Sequence, residues 1–256
     1  MINIDKVSKS YGKDQVLDEV GLSIDKGKFT AFIGPNGAGK STLLSLISRL
    51  LPKEKGYLYI KGQEIESWDS LNLAKELSML KQKVDYQVKL TVEELISFGR
   101  YPYSQGRLST EDYQKIDQAI TYMNLDTFRK RRIDQLSGGQ LQRVNIAMIL
   151  AQDTDIILLD EPLNNLDIKQ GILMMKTLRS LVDDFGKMVV VVIHDVNVAS
   201  QFVDVMVAFK DGKVFSHGSP DQVMTEDILG RLYDMKITIA DIDGKKICLY
   251  QENLLI

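Results

Sequence analysis

Residues 34–41 read Gly-Pro-Asn-Gly-Ala-Gly-Lys-Ser, a complete G-x-x-x-x-G-K-S loop, and nothing else in the chain restricts its fold as much. Closely spaced glycines let a backbone curl until its N–H groups converge on one point, which makes a nest for an anion. Such a loop works when a strand feeds it and a helix leaves it, because the helix N-terminus adds its dipole to the nest. Both flanks are present: "FTAFI" (Phe29 to Ile33) is a strand-type run, and "STLLSLISRLL" carries helical spacing. Lys40 is then placed to reach the outer phosphates and Ser41 to offer Mg²⁺ a hydroxyl, while Gly34, Pro35, Asn36, Gly37, Ala38, Gly39 and Thr42 complete the cradle. The plainer alternative, a glycine-rich turn with a solvated lysine, accounts for the glycines but not for the strand and helix on either side. Alone, the motif specifies a nucleoside triphosphate and no more.

The rest of the chain reads as α/β. "DIILL" (Asp155 to Leu159) and "MVVVVI" (Met188 to Ile193) join "FTAFI" as runs apolar enough for parallel strands covered on both faces. "INIDKVSKSYG" and "LYIKG" (Leu58 to Gly62) alternate instead, as a more exposed antiparallel sheet does. From about Leu90 to Gln152 strand signals give way to helical spacing, a helical subdomain of roughly 90–152 inserted in the α/β core. Residues 244–256 are set off as a C-terminal tail.

Composition excludes several functions. With 32 basic against 35 acidic side chains and a net charge of −3, the chain has no field to collect nucleic acid. The basic run Phe128-Arg-Lys-Arg-Arg132 reads as a solvated helix end. A single cysteine, Cys248, excludes an internal disulfide framework and fits a reducing cytoplasm. The longest apolar run, Met188 to Ile193, is far short of the roughly 18 residues that cross a bilayer. The N-terminus carries no apolar signal segment, so service to a membrane is expected from its surface, through a partner.

Two further stretches carry chemistry. "IILLDE" (Ile156 to Glu161) is a buried strand ending in two acids: Asp160 is placed to bind the Mg²⁺ shell, and Glu161 to orient or deprotonate a water for attack on the γ-phosphate. "LSGGQ" (Leu136 to Gln140) opens an apolar helix, and there two readings stand side by side. Ser137 and Gln140 have the spacing of a capping box. The same serine hydroxyl and the amides of Gly138 and Gly139 also make a second anion site, although the chain's own nucleotide already has a cradle.

With these residues in view, the chain resembles the ATP-binding-cassette (ABC) transporter ATPases, whose signature is the Leu136 to Gln140 pentapeptide; the resemblance runs from Tyr11 to about Met235. It implies a P-loop NTPase (RecA-like) core with an antiparallel β subdomain and an inserted helical subdomain. It also implies a homodimer of cassettes packed head to tail, each ATP lying between the phosphate loop of one chain and Ser137, Gly138, Gly139 and Gln140 of the other. By the same resemblance Tyr11 stacks on adenine, Gln82 contacts Mg²⁺ and relays the state of the membrane partner, Asp167 in "LNNLD" speaks across the dimer, and His194 contacts the γ-phosphate. Lys81 and Leu141 depart from the residues common in the family, proline and arginine.

One cassette without coiled-coil or zinc insertions is similar to the separate ATPase chains of prokaryotic importers. "FGRYPYSQGRL", "EPLNNLDIKQ" and "HDVNVASQFVD" resemble those serving ferric siderophores, with cobalamin and haem importers close by. The expectation is therefore an ATP- and Mg²⁺-dependent ATPase at the cytoplasmic face of the membrane, driving two integral-membrane permease subunits and, indirectly, served by an extracytoplasmic substrate-binding protein. The alternatives are an ABC ATPase for another substrate and a non-transport ABC regulator.

Overall fold

The computed structural model describes residues 1–81, 86, 88–164 and 166–254. The chain divides into two compact units, Met1–Ser67 with Met175–Ile256, and Trp68–Met174.

The chain opens with two long antiparallel strands, β1 (Ile2–Tyr11) and β2 (Asp14–Ile24), followed by β3 (Phe29–Ile33), helix α1 (Lys40–Ile47), β4 (Lys55–Ile60) and the short β5 (Gln63–Glu64). β2, β1, β4 and β5 form one sheet in that order, and every pairing in it is antiparallel. Burial alternates along the end of β2, where Val20, Leu22 and Ile24 are buried and Gly21 and Ser23 exposed. β3 belongs elsewhere: all five of its residues are buried.

The middle of the chain forms the second unit. It holds α2 (Ser70–Glu76), β6 (Leu77–Leu80), α3 (Val92–Ser97), α4 (Tyr101–Ser104), α5 (Thr110–Tyr122), α6 (Gly138–Gln152), β7 (Ile156–Asp160) and the start of α7 (Ile168–Phe185). Four helices occupy the stretch assigned to a helical subdomain, but the compact unit is wider than 90–152 and includes the parallel pair β6 and β7. β7 starts and ends one residue later than the apolar run suggested, so Asp160 is its last residue. An ion pair is sunk into the unit: Arg100 Nε donates to Asp112 at 2.8 Å, both side chains being about 5% exposed or less, and Arg100 also donates to the Ala151 carbonyl. Burial alone would raise the Asp112 carboxyl, but hydrogen bonds from Ser109 and Arg100 hold it below its ordinary value. Much of the basic run is paired with nearby acids while Lys130 and Arg131 stay exposed: Arg129 pairs with Glu93 and Asp117, Lys130 with Glu93, and Arg132 with Asp134.

The last third returns to the first unit with β8 (Met188–Val192), α8 (Val196–Phe202), β9 (Val205–Lys210), β10 (Lys213–Gly218), α9 (Pro220–Val223), α10 (Glu226–Tyr233), β11 (Met235–Ile242) and β12 (Lys245–Leu254). β3 runs parallel to both β8 and β9, and β10 closes on β9 in antiparallel fashion. Every residue of β8 is buried, and each such valine contributes about 1.5–3 kcal/mol relative to exposure. Of the residues set off as a tail, Lys245–Leu254 are a strand: β12 pairs along its length with β11, and Cys248 is 2% exposed. Burial pushes its thiol up, the chemistry of a packed hydrophobe. Among the described residues no helix is long and apolar enough to cross a membrane.

Candidate functional site

In the first unit β3 delivers the chain into the phosphate loop. Gly34, Gly37 and Gly39 all adopt positive φ, at 133°, 80° and 95°, where side chains are strained. At two of them packing demands glycine as well. A Cβ on Gly34 would stand 2.1 Å from the Phe209 carbonyl oxygen, and one on Gly39 would stand 2.5 Å from the Leu17 side chain, whereas one on Gly37 would meet nothing within 4 Å. The loop is thus wedged against β9 and β2 at its ends and open at its middle, the shape of a cradle. Lys40 is buried rather than solvated, 5% exposed, and its ammonium donates to the carbonyls of Gly34 and Pro35 at 2.7 Å each. A buried ammonium with oxygen acceptors on the loop itself is held over the open part of the nest. The cap of α1 is Gly39, which has no side chain to bond the first-turn amides.

Two other expected residues lie in this unit. Tyr11 ends β1 with its ring 48% exposed, and the Lys9 ammonium lies 5.9 Å from the ring centre. His194 is exposed immediately past β8, between Ile193, whose N–H still bonds the Phe32 carbonyl, and Asp195, which caps α8. Gln82 lies outside the described residues.

The second unit holds the remaining residues. Asp160 is 6% exposed at the end of β7. Glu161 follows with φ 51°, a left-handed conformation that costs a non-glycine residue about 1–2 kcal/mol and that a turn at this point imposes. Its carboxylate accepts from Asn164 Nδ2 at 2.6 Å, and Gln142 on α6 donates to the neighbouring Pro162 carbonyl at 2.9 Å.

The capping box at Ser137 is complete: the Gln140 N–H donates to Ser137 Oγ at 3.3 Å, and the Ser137 N–H donates to Gln140 Oε1 at 2.9 Å. The box uses the serine oxygen as an acceptor, which leaves the hydroxyl proton for another partner. In front of this helix start lies a cavity of about 440 Å³, lined by Ser137, Gly138, Gly139 and Gln140 on one side and by Leu166, Asp167 and Gln170 on the other. The Asp167 carboxylate accepts from the Gln170 N–H at 2.8 Å, so this side chain caps α7 as the sequence allows. Arg143 also lines the cavity. Sequence reasoning passed over it, although its spacing of four from Gly139 puts it on the face that carries the signature amides. A helix N-terminus, a hydroxyl and the Arg143 guanidinium line one cavity together with the Asp167 carboxylate, donors enough for an anion beside one fixed negative charge.

Residues 17–164 match the family model described as ABC transporter. The chain is 52% identical over 250 residues to the petrobactin import ATP-binding protein YclP of Bacillus subtilis (strain 168), covering 98% of this chain and 99% of that protein. It is 38% identical over 252 residues to the iron(3+)-hydroxamate import ATP-binding protein FhuC of the same organism, covering 97% and 92%. Its fold superposes with a TM-score of 0.77, at 34% identity over 86% of this chain and 99% of the other, on the dimeric post-hydrolysis state of the ATP-binding cassette MJ0796 bound to ADP and Pi. A family match across most of the described elements, and a relative aligned end to end, lead to one statement: the chain belongs to the ABC transporter family, as one of its ATP-hydrolysing cassettes.

Proposed function

We propose that this cassette powers an importer of iron–siderophore complexes, two copies closing on ATP at the cytoplasmic face of the membrane and driving two permease subunits, with an extracytoplasmic binding protein delivering the chelate. The observation that carries the two-copy reading is the cavity at the start of α6: an anion site with its own hydroxyl, amides and guanidinium, in a chain whose phosphate loop already serves one nucleotide. The substrate class is supported by the relatives, which are named for petrobactin and iron(3+)-hydroxamate import.

On this reading the glycine amides of 34–39 and Lys40 hold the β- and γ-phosphates, and the exposed Tyr11 ring stacks on adenine. Glu161 orients the attacking water, with Asn164 fixing its carboxylate, and His194 touches the γ-phosphate from beyond β8. Ser137, Gly138, Gly139 and Gln140 close on the partner copy's γ-phosphate, with Asp167 beside them. Among the described residues no cluster of three or more His, Cys, Asp or Glu is arranged to hold a metal. Mg²⁺ keeps waters and substrate phosphates in its octahedral shell and takes only one or two protein groups, here the Ser41 hydroxyl and the Asp160 carboxylate. When bound, the ion neutralises charge on the phosphate oxygens. The preference of ATP for the closed pair supplies the work, since a ligand shifts an equilibrium only by its differential affinity.

Uptake of iron-55 bound to petrobactin or to a hydroxamate, measured in a strain lacking this chain, tests the proposal. Uptake of one chelate is expected to fall to background, to return with the wild-type chain and not to return with Lys40→Ala. Full uptake of both chelates in the deletion strain, with loss of cobalamin or haem uptake instead, would move the substrate assignment.

A further inference from the structure

The C-terminal hairpin, which the nucleotide chemistry does not use, takes hold of the helix that follows His194. Asn197 sits on the first turn of α8, three residues past His194, and its side-chain amide meets the backbone of Cys248 on β12 with both ends. Asn197 Nδ2 donates to the Cys248 carbonyl at 3.0 Å, and the Cys248 N–H donates to Asn197 Oδ1 at 2.7 Å. A side-chain amide that bonds both backbone groups of one residue acts as one more strand unit at a sheet edge, and it fixes direction as well as distance. The hairpin is itself tied down on its other side. The Ile239 N–H donates to Glu226 on α10, Lys246 donates to the Asp221 carbonyl on α9, and the Ile237 and Cys248 side chains are buried.

The segment between β8 and α8 is therefore held at both ends. Upstream, the Ile193 N–H hangs on the Phe32 carbonyl beside the phosphate loop's own strand. Downstream, Asp195 accepts from the N–H groups of Asn197 and Val198, and Asn197 bolts that turn to β12. Between these anchors His194 and Asp195 are exposed and Val196 is buried.

We infer that Asn197 is a positioning residue: its two bonds to Cys248 make the β11–β12 hairpin a strut that fixes where His194 points. The inference rests on the proposed contact of His194 with the γ-phosphate. It assigns a task to the C-terminal hairpin, which holds no part of the nucleotide cradle.

A double-mutant cycle in the full-length chain tests it, with ATP binding and single-turnover hydrolysis measured on folded protein. Asn197→Ala is expected to lower the hydrolysis rate roughly 10-fold to 10²-fold with ATP affinity within about twofold, the pattern of a misplaced group rather than a lost binding contact. His194→Ala is expected to lose turnover, and Asn197→Ala is expected to add nothing in that background. An unchanged rate in Asn197→Ala, or a further loss when it is combined with His194→Ala, overturns the strut while leaving His194 in place. Normal turnover in His194→Ala alone overturns the histidine contact and the strut with it. Should Asn197→Ala fail to fold, Asn197→Asp keeps an acceptor for the Cys248 N–H but sets a carboxylate oxygen against its carbonyl, so a loss of rate in the same direction is expected, and none refutes the inference.

Discussion

Ser137 can be asked to do one of its two tasks at a time. Alanine removes the oxygen that accepts the Gln140 N–H, so one half of the capping box is lost and the Gln140 side chain loses its reciprocal partner. An exposed cap of this kind contributes about 1 kcal/mol. In a chain of this size that is about 2–4 °C in Tm. Aspartate behaves differently, because it is as good a cap as serine and its charge suits a helix N-terminus. Ser137→Asp should therefore keep the wild-type Tm or exceed it slightly. The same carboxylate would stand where the partner's γ-phosphate approaches, and two like charges about 4 Å apart at an effective dielectric of about 20 repel by roughly 4 kcal/mol, close to a thousandfold in ATP-driven dimerisation. Thermal denaturation, sedimentation in the presence of ATP and single-turnover hydrolysis read the three quantities separately. The pair of variants should split: alanine less stable, aspartate as stable as wild type yet unable to dimerise or hydrolyse. A stable Ser137→Asp protein that dimerises on ATP and turns over normally would refute the second anion site and leave Ser137 as a cap.

Glu161→Gln should retain ATP binding, slow hydrolysis by roughly 10²-fold or more and accumulate as an ATP-bound dimer on size-exclusion chromatography; near-normal turnover removes the base assignment. Lys40→Ala should lose ATP affinity severely, and it should cost stability as well, about 1–3 kcal/mol, because the carbonyls of Gly34 and Pro35 lose a buried donor; an unchanged Tm together with unchanged ATP affinity contradicts both parts. Burial pushes the Tyr233 pKa well up, and the Gly34 backbone facing its hydroxyl, outside good hydrogen-bond geometry, offsets this only in part, so Tyr233→Phe should change stability by no more than about 1 kcal/mol in urea denaturation. A loss of more than about 1 kcal/mol there would reveal a partner for the hydroxyl.

The parts legible in the sequence were those set by neighbours in the chain. The bounds of β3 could be read to the residue, because a buried parallel strand is a continuous apolar run that ends where the glycines begin. The Ser137 box and the Asp167 cap follow from spacings of three within one helix start. What stayed hidden was fixed by residues far apart. Nothing near Gln142 announces that it will reach the Pro162 carbonyl, nothing near Glu161 says that its φ is positive, and the register of β12 that brings Cys248 to Asn197 depends on a hairpin fifty residues downstream. The tail carries no assigned element in the sequence because its strand is set by the pairing of β12 with β11 rather than by its own composition.

Helices α1 and α6 differ in how they begin. α6 is capped by its own side chains, while α1 starts at a glycine that can cap nothing. On the proposed reading the nucleotide does for α1 what Ser137 and Gln140 do for α6, so part of the stability of the first unit is supplied from outside the chain. A ligand that binds only the folded form adds about 2.7 kcal/mol at a hundredfold excess over its Kd. The cassette would then last longest in cells rich in ATP and be most open to proteolysis when ATP runs low, so that its abundance, as well as its turnover, follows the energy supply of the cell.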